Sequence, residues 1–331
     1  MKLRHLGALA VLCLGFAGQA SAETVLKASV YSPPTQALAV MLEDWSAELK
    51  EKSGGELRLQ VYPSAQLGPP PHQYDLVTSG VADIAVVLHG FTPGRFPMTE
   101  LAGLPLTHPS AGDASAVASR RLTELSPTYL ASEHPGTKIL WMAVTPALKL
   151  HFKSTSPEPI GNIAGLRIRY AGKSWQDIIT ALGASPVPVP PIETTDAMSK
   201  GIIDGAAFPF EAAKTVDLGS IAKYSLEPGL ASATFAVVMN EEVYKGLSPE
   251  LRKLIDETTG PDRAAATGRL LDENESEARQ YMLDAGVKIV TLDDARLSEL
   301  KARLQPITAA AIDALTGKGL PARAFVDDYA K

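Results

Sequence analysis

The feature of the sequence that most constrains the fold is an alternation of short apolar strands with helical segments near the N-terminus. Three strand-like runs and two helical patterns follow one another at residues 25–30, 36–52, 57–62, 74–79 and 82–88. Apolar side chains of the first helix recur at helical spacing, at Leu38, Met41, Leu42, Trp45 and Leu49. Repeated strand–helix–strand units place successive strands parallel in one sheet, so this region predicts an α/β fold with a mostly parallel sheet.

The remainder of the chain continues the same mixture of elements. Strands are predicted at 138–144, 148–152, 165–170, 186–191, 234–239 and 288–292, and helices at 111–130, 174–182, 193–200, 211–218, 249–286 and 293–315. A chain of 331 residues is long enough for two domains with cores of their own. We find no internal repeat and no low-complexity linker, so two domains would be joined by more than one crossing of the chain.

Residues 1–22 have the pattern of a secretory signal peptide. Lys2 and Arg4 precede an apolar run from Leu6 to Phe16, and Ala20-Ser21-Ala22 provides a small-x-small cleavage site. We expect cleavage after Ala22 and export of the mature protein to the periplasm. The apolar run is too short to span a bilayer and no later stretch approaches 18 apolar residues, so no membrane span is predicted.

The only cysteine, Cys13, lies within that segment. A lipoprotein acceptor requires a small residue before the cysteine, where Leu12 stands, so lipidation is not favoured. The mature chain then has no thiol, which excludes disulfides and thiolate metal sites. Loss of Lys2 and Arg4 leaves 29 basic residues against 37 acidic ones and moves the formal net charge from -6 to -8, so nothing favours nucleic acid as a partner.

Enzyme and cofactor motifs are missing from the sequence. It contains no Gly-x-Gly-x-x-Gly after a strand, no phosphate loop, no Gly-x-Ser-x-Gly and no His-Glu-x-x-His, so we expect no cofactor and no catalytic residue. Outside the signal segment the histidines are scattered, at His72, His89, His108, His134 and His151, without the three- or four-residue spacing of a helix-borne metal site. No metal site is predicted.

The segment GLRIRY at residues 165–170 is the strongest indication of binding chemistry. Its alternation predicts a strand that directs Leu166 and Ile168 inward and both Arg167 and Arg169 to the other face. An arginine in a water-poor cleft is a strong anchor for a small carboxylate, because its planar fork binds both carboxylate oxygens. The alternative, that both arginines are solvated or pair with surface acids, remains open from this run alone.

Ligands of open α/β sheets bind outside the carboxyl ends of strands, which makes the loops at Tyr31 and at residues 89–97 candidate cleft walls. His89 and His151 stand at ends of predicted strands, where an imidazole is able to donate a hydrogen bond to a bound acid. We therefore select Tyr31, His89, Phe91 and His151 as candidate contacts. The alternative for each histidine is a partly exposed loop position without a ligand.

Several short motifs together resemble one family, the solute-binding proteins of tripartite ATP-independent periplasmic (TRAP) transporters, of the DctP type. The matching segments are YPSAQLG at 62–68, GVADI at 80–84, LPL at 104–106, GLRIR at 165–169, LGA at 182–184 and the run from Glu193 through IIDG at 202–205 to Pro209. Each segment is weak alone, but their order and spacing between about residues 25 and 260 are specific.

The resemblance implies a two-lobed periplasmic binding protein fold with a ligand cleft between the lobes and a long connecting helix. The first lobe would contain residues 23–145 and about 232–270, and the second residues 146–231 and about 271–331. By the same resemblance Arg169 clamps the ligand carboxylate, and Arg167 is structural or solvated. The protein would deliver one organic acid to the transporter's membrane subunits and perform no chemistry.

Phe208 departs from the pattern, because many members of the family carry a polar residue directly before the proline that follows Asp-Gly. With Trp175, Tyr31 and Phe91 it predicts an apolar or aromatic pocket, and hence an apolar or aromatic monocarboxylate as ligand. The alternative for Trp175 and Tyr31 is a position in the core. Three alternatives remain at this stage. They are a C4-dicarboxylate receptor with a second cation from Lys149 or Lys173, an exported α/β enzyme, and a receptor that feeds a sensor instead of a transporter.

Overall fold

The computed structural model describes residues 23–105 and 114–331. The predicted signal segment, residues 1–22, and the first residues of the helix predicted at 111–130 lie outside the described residues. Within the described part no helix is long and apolar enough to cross a membrane. The same residues contain no group of three or more His, Cys, Asp or Glu side chains able to hold a metal ion.

The described residues form eleven strands. In chain order they are β1 (Thr24–Ser29), β2 (Leu57–Tyr62), β3 (Ile84–Leu88), β4 (Thr137–Val144), β5 (Leu148–Phe152), β6 (Arg167–Tyr170), β7 (Ser185–Pro188), β8 (Gly205–Phe208), β9 (Tyr224–Ala231), β10 (Thr234–Asn240) and β11 (Lys288–Thr291). The sequence did not indicate β9, because Pro228 and Gly229 within it both disfavour a strand interior.

Twelve α-helices accompany these strands in the described residues. They are α1 (Ala37–Lys52), α2 (Gln73–Thr78), α3 (Pro97–Glu100), α4 (Ala114–Tyr129), α5 (Lys173–Ala181), α6 (Thr194–Ser199), α7 (Phe210–Thr215), α8 (Glu241–Gly246), α9 (Pro249–Thr258), α10 (Pro261–Asp284), α11 (Asp294–Thr316) and α12 (Ala322–Tyr329). The final helix, α12, was not predicted from the sequence.

The strands build two mixed sheets. The first has the order β2-β1-β3-β10-β4 and the second the order β11-β9-β5-β8-β6-β7. In each sheet one strand runs opposite to all the others. β10 is antiparallel to its neighbours β3 and β4, and β5 is antiparallel to its neighbours β8 and β9, whereas the other strand pairs are parallel. The expectation of a mostly parallel sheet therefore holds apart from these two strands, to which the chain crosses directly from the other sheet, from β4 to β5 and from β9 to β10.

Each sheet is covered by apolar side chains on both faces, which gives the molecule two lobes. In β3, Ile84 and Val86 pack in the cluster that contains Trp45 of α1, whereas Ala85 and Val87 face the opposite cluster. The second sheet packs against Trp175 and Ile178 of α5 on one face, and against Phe210 and Met282 on the other. The period-2 alternation of the strands produces this double-sided burial.

Two long helices and two chain crossings join the lobes. Along α10, Leu271 packs in a cluster of the first sheet and Met282 in one of the second. Along α11 the order is reversed, since Leu304 packs on the second sheet and Leu315 on the first. The sequence analysis assigned residues 271–331 to the second lobe, but Phe325 and the rest of the α12 contact face pack on the first sheet.

Candidate functional site

A cavity of about 90 Å³ lies between the two lobes, beside the chain crossings. Both lobes contribute to its wall, and most of the lining is apolar. The lining includes Tyr31, Ser32, Gln36, Leu38, Leu88 and Phe235 from the first lobe, and Leu148, Arg169, Ile192, Phe208, Glu211 and Val216 from the second. Such a cavity suits a small ligand with an apolar body and few polar groups.

Arg169 is held at this cavity by the second sheet. It lies in β6 between β7 and β8, and is 2% exposed. Its Nε donates to the carbonyl of Val189 at 3.1 Å and its Nη1 donates to the carbonyl of Ala207 at 3.0 Å. Its Cζ lies 4.0 Å from the centroid of the Phe208 ring. These contacts fix the plane of the guanidinium and leave three of its five N–H groups without a hydrogen bond to the described residues.

The charge of Arg169 has no protein counterion in the described part of the chain. No carboxylate of residues 23–105 and 114–331 lies within 4.0 Å of its guanidinium nitrogens. Burial lowers the pKa of Arg169 to about 9, while the nearby Tyr31 acts in the opposite direction. The group therefore remains cationic at neutral pH, and its burial without a partner is unfavourable unless an anion enters the cavity.

Arg167, two residues earlier in β6, has different surroundings. It is exposed and binds Asp204 with both ends of its fork, at 3.0 Å from Nε to Oδ2 and 2.8 Å from Nη2 to Oδ1. This arginine holds the pKa of the Asp204 carboxyl below its usual value. Arg167 thus has its own partner outside the cavity.

Tyr31 and Phe91 pack against each other, but only Tyr31 lines the cavity that contains Arg169. Their rings meet edge to face with centroids 5.9 Å apart, and both are half-buried. Tyr31 lines the 90 Å³ cavity that contains Arg169, which we call the arginine cavity. It also lines an adjoining apolar groove, where Phe91 and several prolines form the wall. Burial raises the pKa of Tyr31 above its ordinary value, so its hydroxyl stays protonated.

Neither of the two histidines selected from the sequence lines the cavity. His151 is fully buried in β5, where Nε2–H donates to the carbonyl of Phe208 at 3.1 Å and Nδ1 accepts from the Ser225 hydroxyl at 2.8 Å. Burial lowers its pKa to about 4. His151 therefore supports the strand that carries Phe208 and lies behind the cavity wall.

His89 is likewise enclosed, within the first lobe. Its Nδ1 lies 2.9 Å from the carbonyl of Thr234 and its ring packs edge to face on Phe96, 4.8 Å between centroids. Burial and the neighbouring His134 keep its pKa well below the usual value. A position just after a strand does not reveal which way the side chain turns, and here it turns into the core.

Trp175 and Arg169 line different cavities, which adjoin each other. It is 1% exposed and packs in the core of the second lobe. Its ring lines a smaller, neighbouring cavity instead of the arginine cavity. Trp175 therefore occupies the core position that was its alternative, at a cavity beside the one that Arg169 lines.

Five further polar residues line the arginine cavity that no sequence pattern indicated, namely Ser32, Gln36, Thr145, Glu211 and Thr215. Gln36 donates from Nε2 to the buried Glu211 carboxylate at 3.2 Å, and the backbone N–H of Ala37 also stabilises that carboxylate. Burial nevertheless raises the pKa of Glu211. Ser32 is 5% exposed, and its hydroxyl has no hydrogen-bond partner among the described residues. In the sequence, Glu211 resembles an ordinary acid of a first helical turn and Ser32 an ordinary turn residue.

The second cation required by a dicarboxylate ligand is not found at the cavity. Lys149 pairs with Glu275, and Lys173 pairs with Asp177. Neither lysine lines the arginine cavity, and Arg169 is the one Lys or Arg side chain of the described residues that does. The cavity thus provides one cationic side chain within a mostly apolar lining.

Comparisons with known proteins place these features in a family. The model of the family described as bacterial extracellular solute-binding protein, family 7 (DctP), matches residues 28–314. A TRAP solute-binding protein from Rhodoferax ferrireducens in complex with benzoate is 28% identical, with a TM-score of 0.88 over 93% of this chain and 96% of that one.

Two further crystal structures show similar agreement. A TRAP protein from a marine metagenome with bound 3-hydroxybenzoate is 31% identical, with a TM-score of 0.86 over 94% of this chain and 98% of its own. A protein from Bordetella bronchiseptica with bound mandelate is 29% identical, with a TM-score of 0.85 over 93% and 98%. These matches confirm the resemblance found in the sequence, and the chain belongs to family 7 of the bacterial extracellular solute-binding proteins, the DctP family.

Proposed function

We propose that this protein is the receptor of a TRAP transporter and that its ligand is an aromatic monocarboxylate. The observation that carries the proposal is the cation of Arg169, 2% exposed and without a protein carboxylate in the described residues, in a mostly apolar cavity. A buried cation of this kind requires an anion, and the rest of the cavity favours an apolar body.

The ligand carboxylate would bind the N–H groups of Arg169 that the protein leaves unused. The hydroxyls of Ser32 and Tyr31, which line the same cavity, are available as further donors. The aromatic body would lie among Phe208, Leu88 and Phe235. The aromatic acids bound by the three similar proteins support this choice of ligand class.

Ligand binding would favour a closed arrangement of the lobes. Arg169 and Phe208 belong to the second lobe, whereas Tyr31 and Ser32 belong to the first, so one ligand contacts both. The Gln36–Glu211 contact adds a direct hydrogen bond between the lobes. The closed, loaded receptor would then dock on the membrane subunits of the transporter.

The cellular location and the lobe boundaries belong to the same proposal. Residues 1–22 would direct export to the periplasm and be removed after Ala22. The first lobe would comprise residues 23–145, 232–270 and the C-terminal segment from Ile312 onward, with the remainder in the second lobe. The intact mass of protein recovered from a periplasmic fraction tests the cleavage site, because the mature chain should begin at Glu23.

Isothermal titration of the mature protein with benzoate, 3-hydroxybenzoate, mandelate and succinate tests the ligand class. We expect at least one aromatic acid to bind, and Arg169→Gln to weaken its binding at least about 100-fold, because a buried charge pair loses one partner. Arg167→Gln is the matched control in the same strand and should leave the affinity unchanged. Preferential binding of succinate, or full affinity in Arg169→Gln, would contradict the proposal.

A further inference from the structure

A second, much smaller cavity shares a wall with the arginine cavity. Leu88, Ala171 and Ala233 line both. The smaller one, which we call the side compartment, measures about 20 Å³ and is also lined by Gly90, Glu100, Gly103, Gly172, Lys173, Ser174, Trp175, Ser232 and Thr234. About 10–15 Å³ is sufficient for one water molecule, so the side compartment accommodates a single small group.

Three buried polar atoms belong to residues that line the side compartment and lack a hydrogen-bond partner among the described residues. They are Oε1 of Glu100, Nε1 of Trp175 and Oγ of Ser232. Trp175 is 1% exposed and Ser232 is 6% exposed, so bulk water does not solvate them. Buried polar groups are nearly always hydrogen-bonded, and three such atoms on residues of one small cavity favour a polar group inside it.

The three residues come from different parts of the two-lobed fold. Glu100 ends α3 in the first lobe, Trp175 lies in α5 of the second lobe, and Ser232 lies in the crossing between β9 and β10. A group bound to all three would therefore connect the lobes.

The backbone of both lobes closes tightly around the side compartment. A Cβ atom added to Gly90 would lie 2.8 Å from Cα of Gly172, and one added to Gly103 would lie 2.5 Å from the carbonyl oxygen of Ser232. Only glycine permits these approaches. At the side compartment the lobes are thus in direct backbone contact through Gly90 and Gly172, and a larger residue at Gly90 would push them apart.

We propose that the side compartment binds one hydroxylic oxygen, which joins Glu100, Trp175 and Ser232 and so ties the two lobes together. The indole N–H donates to this oxygen, and the oxygen donates to the Glu100 carboxyl. The Ser232 hydroxyl donates to a ligand hydroxyl, and either donates to or accepts from a water molecule. The oxygen belongs either to an ordered water molecule or to a hydroxyl of the ligand in the adjacent cavity. The coupling to affinity rests on the proposed receptor function, whereas the occupancy of the side compartment does not.

A crystal structure of the mature protein at about 1.5 Å resolution, solved with and without an aromatic acid, tests the occupancy directly. We expect an oxygen within hydrogen-bonding distance of Trp175 Nε1 and Ser232 Oγ in the closed form. An empty side compartment in a closed, ligand-bound structure would overturn the proposal. If no acid binds, the receptor proposal fails on its own, and an oxygen in the ligand-free crystal still decides the occupancy.

Titration of Trp175→Phe and Ser232→Ala with phenylacetate and mandelate, which differ by one hydroxyl, distinguishes the source of the oxygen. We expect each variant to weaken binding by about 3- to 10-fold, as for one lost hydrogen bond. Equal weakening for both acids assigns the oxygen to water, and weakening for mandelate alone assigns it to the ligand. Unchanged affinities in both variants would overturn the coupling.

Trp141→Phe is the matched control. The indole N–H of Trp141 is also buried and has no hydrogen-bond partner in the part of the chain that the structure describes. Its ring packs edge to face on Trp45 in the first lobe, and the residue lines neither cavity. This variant should lower the melting temperature without changing the affinity. If Trp175→Phe and Trp141→Phe affect stability and affinity alike, the role of Trp175 is only structural.

Discussion

The arginine cavity and the side compartment share a wall but differ in the polar groups that they contain. The arginine cavity surrounds one full charge with apolar side chains, whereas the side compartment gathers unpaired polar atoms around space for one oxygen. An unpartnered buried charge is far more unfavourable than an unpartnered hydroxyl or indole N–H. The arginine cavity therefore favours an anionic ligand, whereas a neutral hydroxylic group is sufficient for the side compartment.

The titratable groups near the two cavities also differ, and we expect them to have the largest effect on the free energy of unfolding. His151, behind Phe208, has its pKa lowered to about 4, whereas burial, with help from Glu133, raises the pKa of Glu100 in the side compartment to about 7. As the pH falls from 6.5 to 4, the unfolded histidine gains a proton that the folded one does not, so the contribution of His151 to the free energy of unfolding decreases by roughly 3 kcal/mol. Urea titrations across this pH range measure the change.

Glu100 should act with the opposite sign. Between pH 4.5 and 7 the folded carboxyl keeps a proton that the unfolded one loses, so its contribution to stability falls as the pH rises. His151→Gln should therefore flatten the acid side of the stability profile, and Glu100→Gln should flatten the neutral side. Parallel profiles for the wild type and both variants would show that these groups titrate alike in the folded and unfolded chain.

Phe208→Leu tests the aromatic wall of the arginine cavity. The ring lies 4.0 Å from the Arg169 Cζ, and a desolvated cation–π contact contributes about 2 kcal/mol. We expect the affinity for an aromatic acid to fall about 10- to 30-fold, as measured by isothermal titration. Phe210→Leu is the control, since Phe210 is equally buried but packs on His151 and does not line the cavity. A similar loss of affinity in both variants would remove the special role of Phe208.

Gly90→Ala tests whether the lobes must touch at the side compartment. The added Cβ would lie 2.8 Å from Cα of Gly172, so the lobes have to separate slightly. We expect the affinity to fall about 10-fold while the melting temperature of the ligand-free protein changes little, because only the closed form is strained. Gly161→Ala, with nothing within 4 Å of the new methyl group, should alter neither quantity. An equal affinity in Gly90→Ala would mean that the contact does not accompany binding.

The sequence predicted the charged and aromatic residues of the arginine cavity better than the packing and the contacts of the residues around them. Strand alternation indicated Arg167 and Arg169 together, the family resemblance selected Arg169, and the departure at Phe208 predicted an apolar wall; Arg169 and Phe208 both line the cavity. The orientations of His89 and His151 depended on which face of a sheet is covered, and that is decided by distant packing. The contact of Gln36 with Glu211 joins residues 175 positions apart, so no local pattern indicates it.

The smallest effect is expected at the rim of the arginine cavity. Ile192 is 66% exposed and lines both the arginine cavity and the adjoining groove. An aromatic ligand would cover part of its side chain, which corresponds to about 0.5–1 kcal/mol of apolar burial, so Ile192→Ser should weaken binding about 2- to 5-fold. Ile202→Ser, at an exposed position that lines neither cavity, should leave the affinity unchanged. If both variants bind with wild-type affinity, the ligand lies wholly inside the cavity and its specificity depends on the enclosed wall around Phe208.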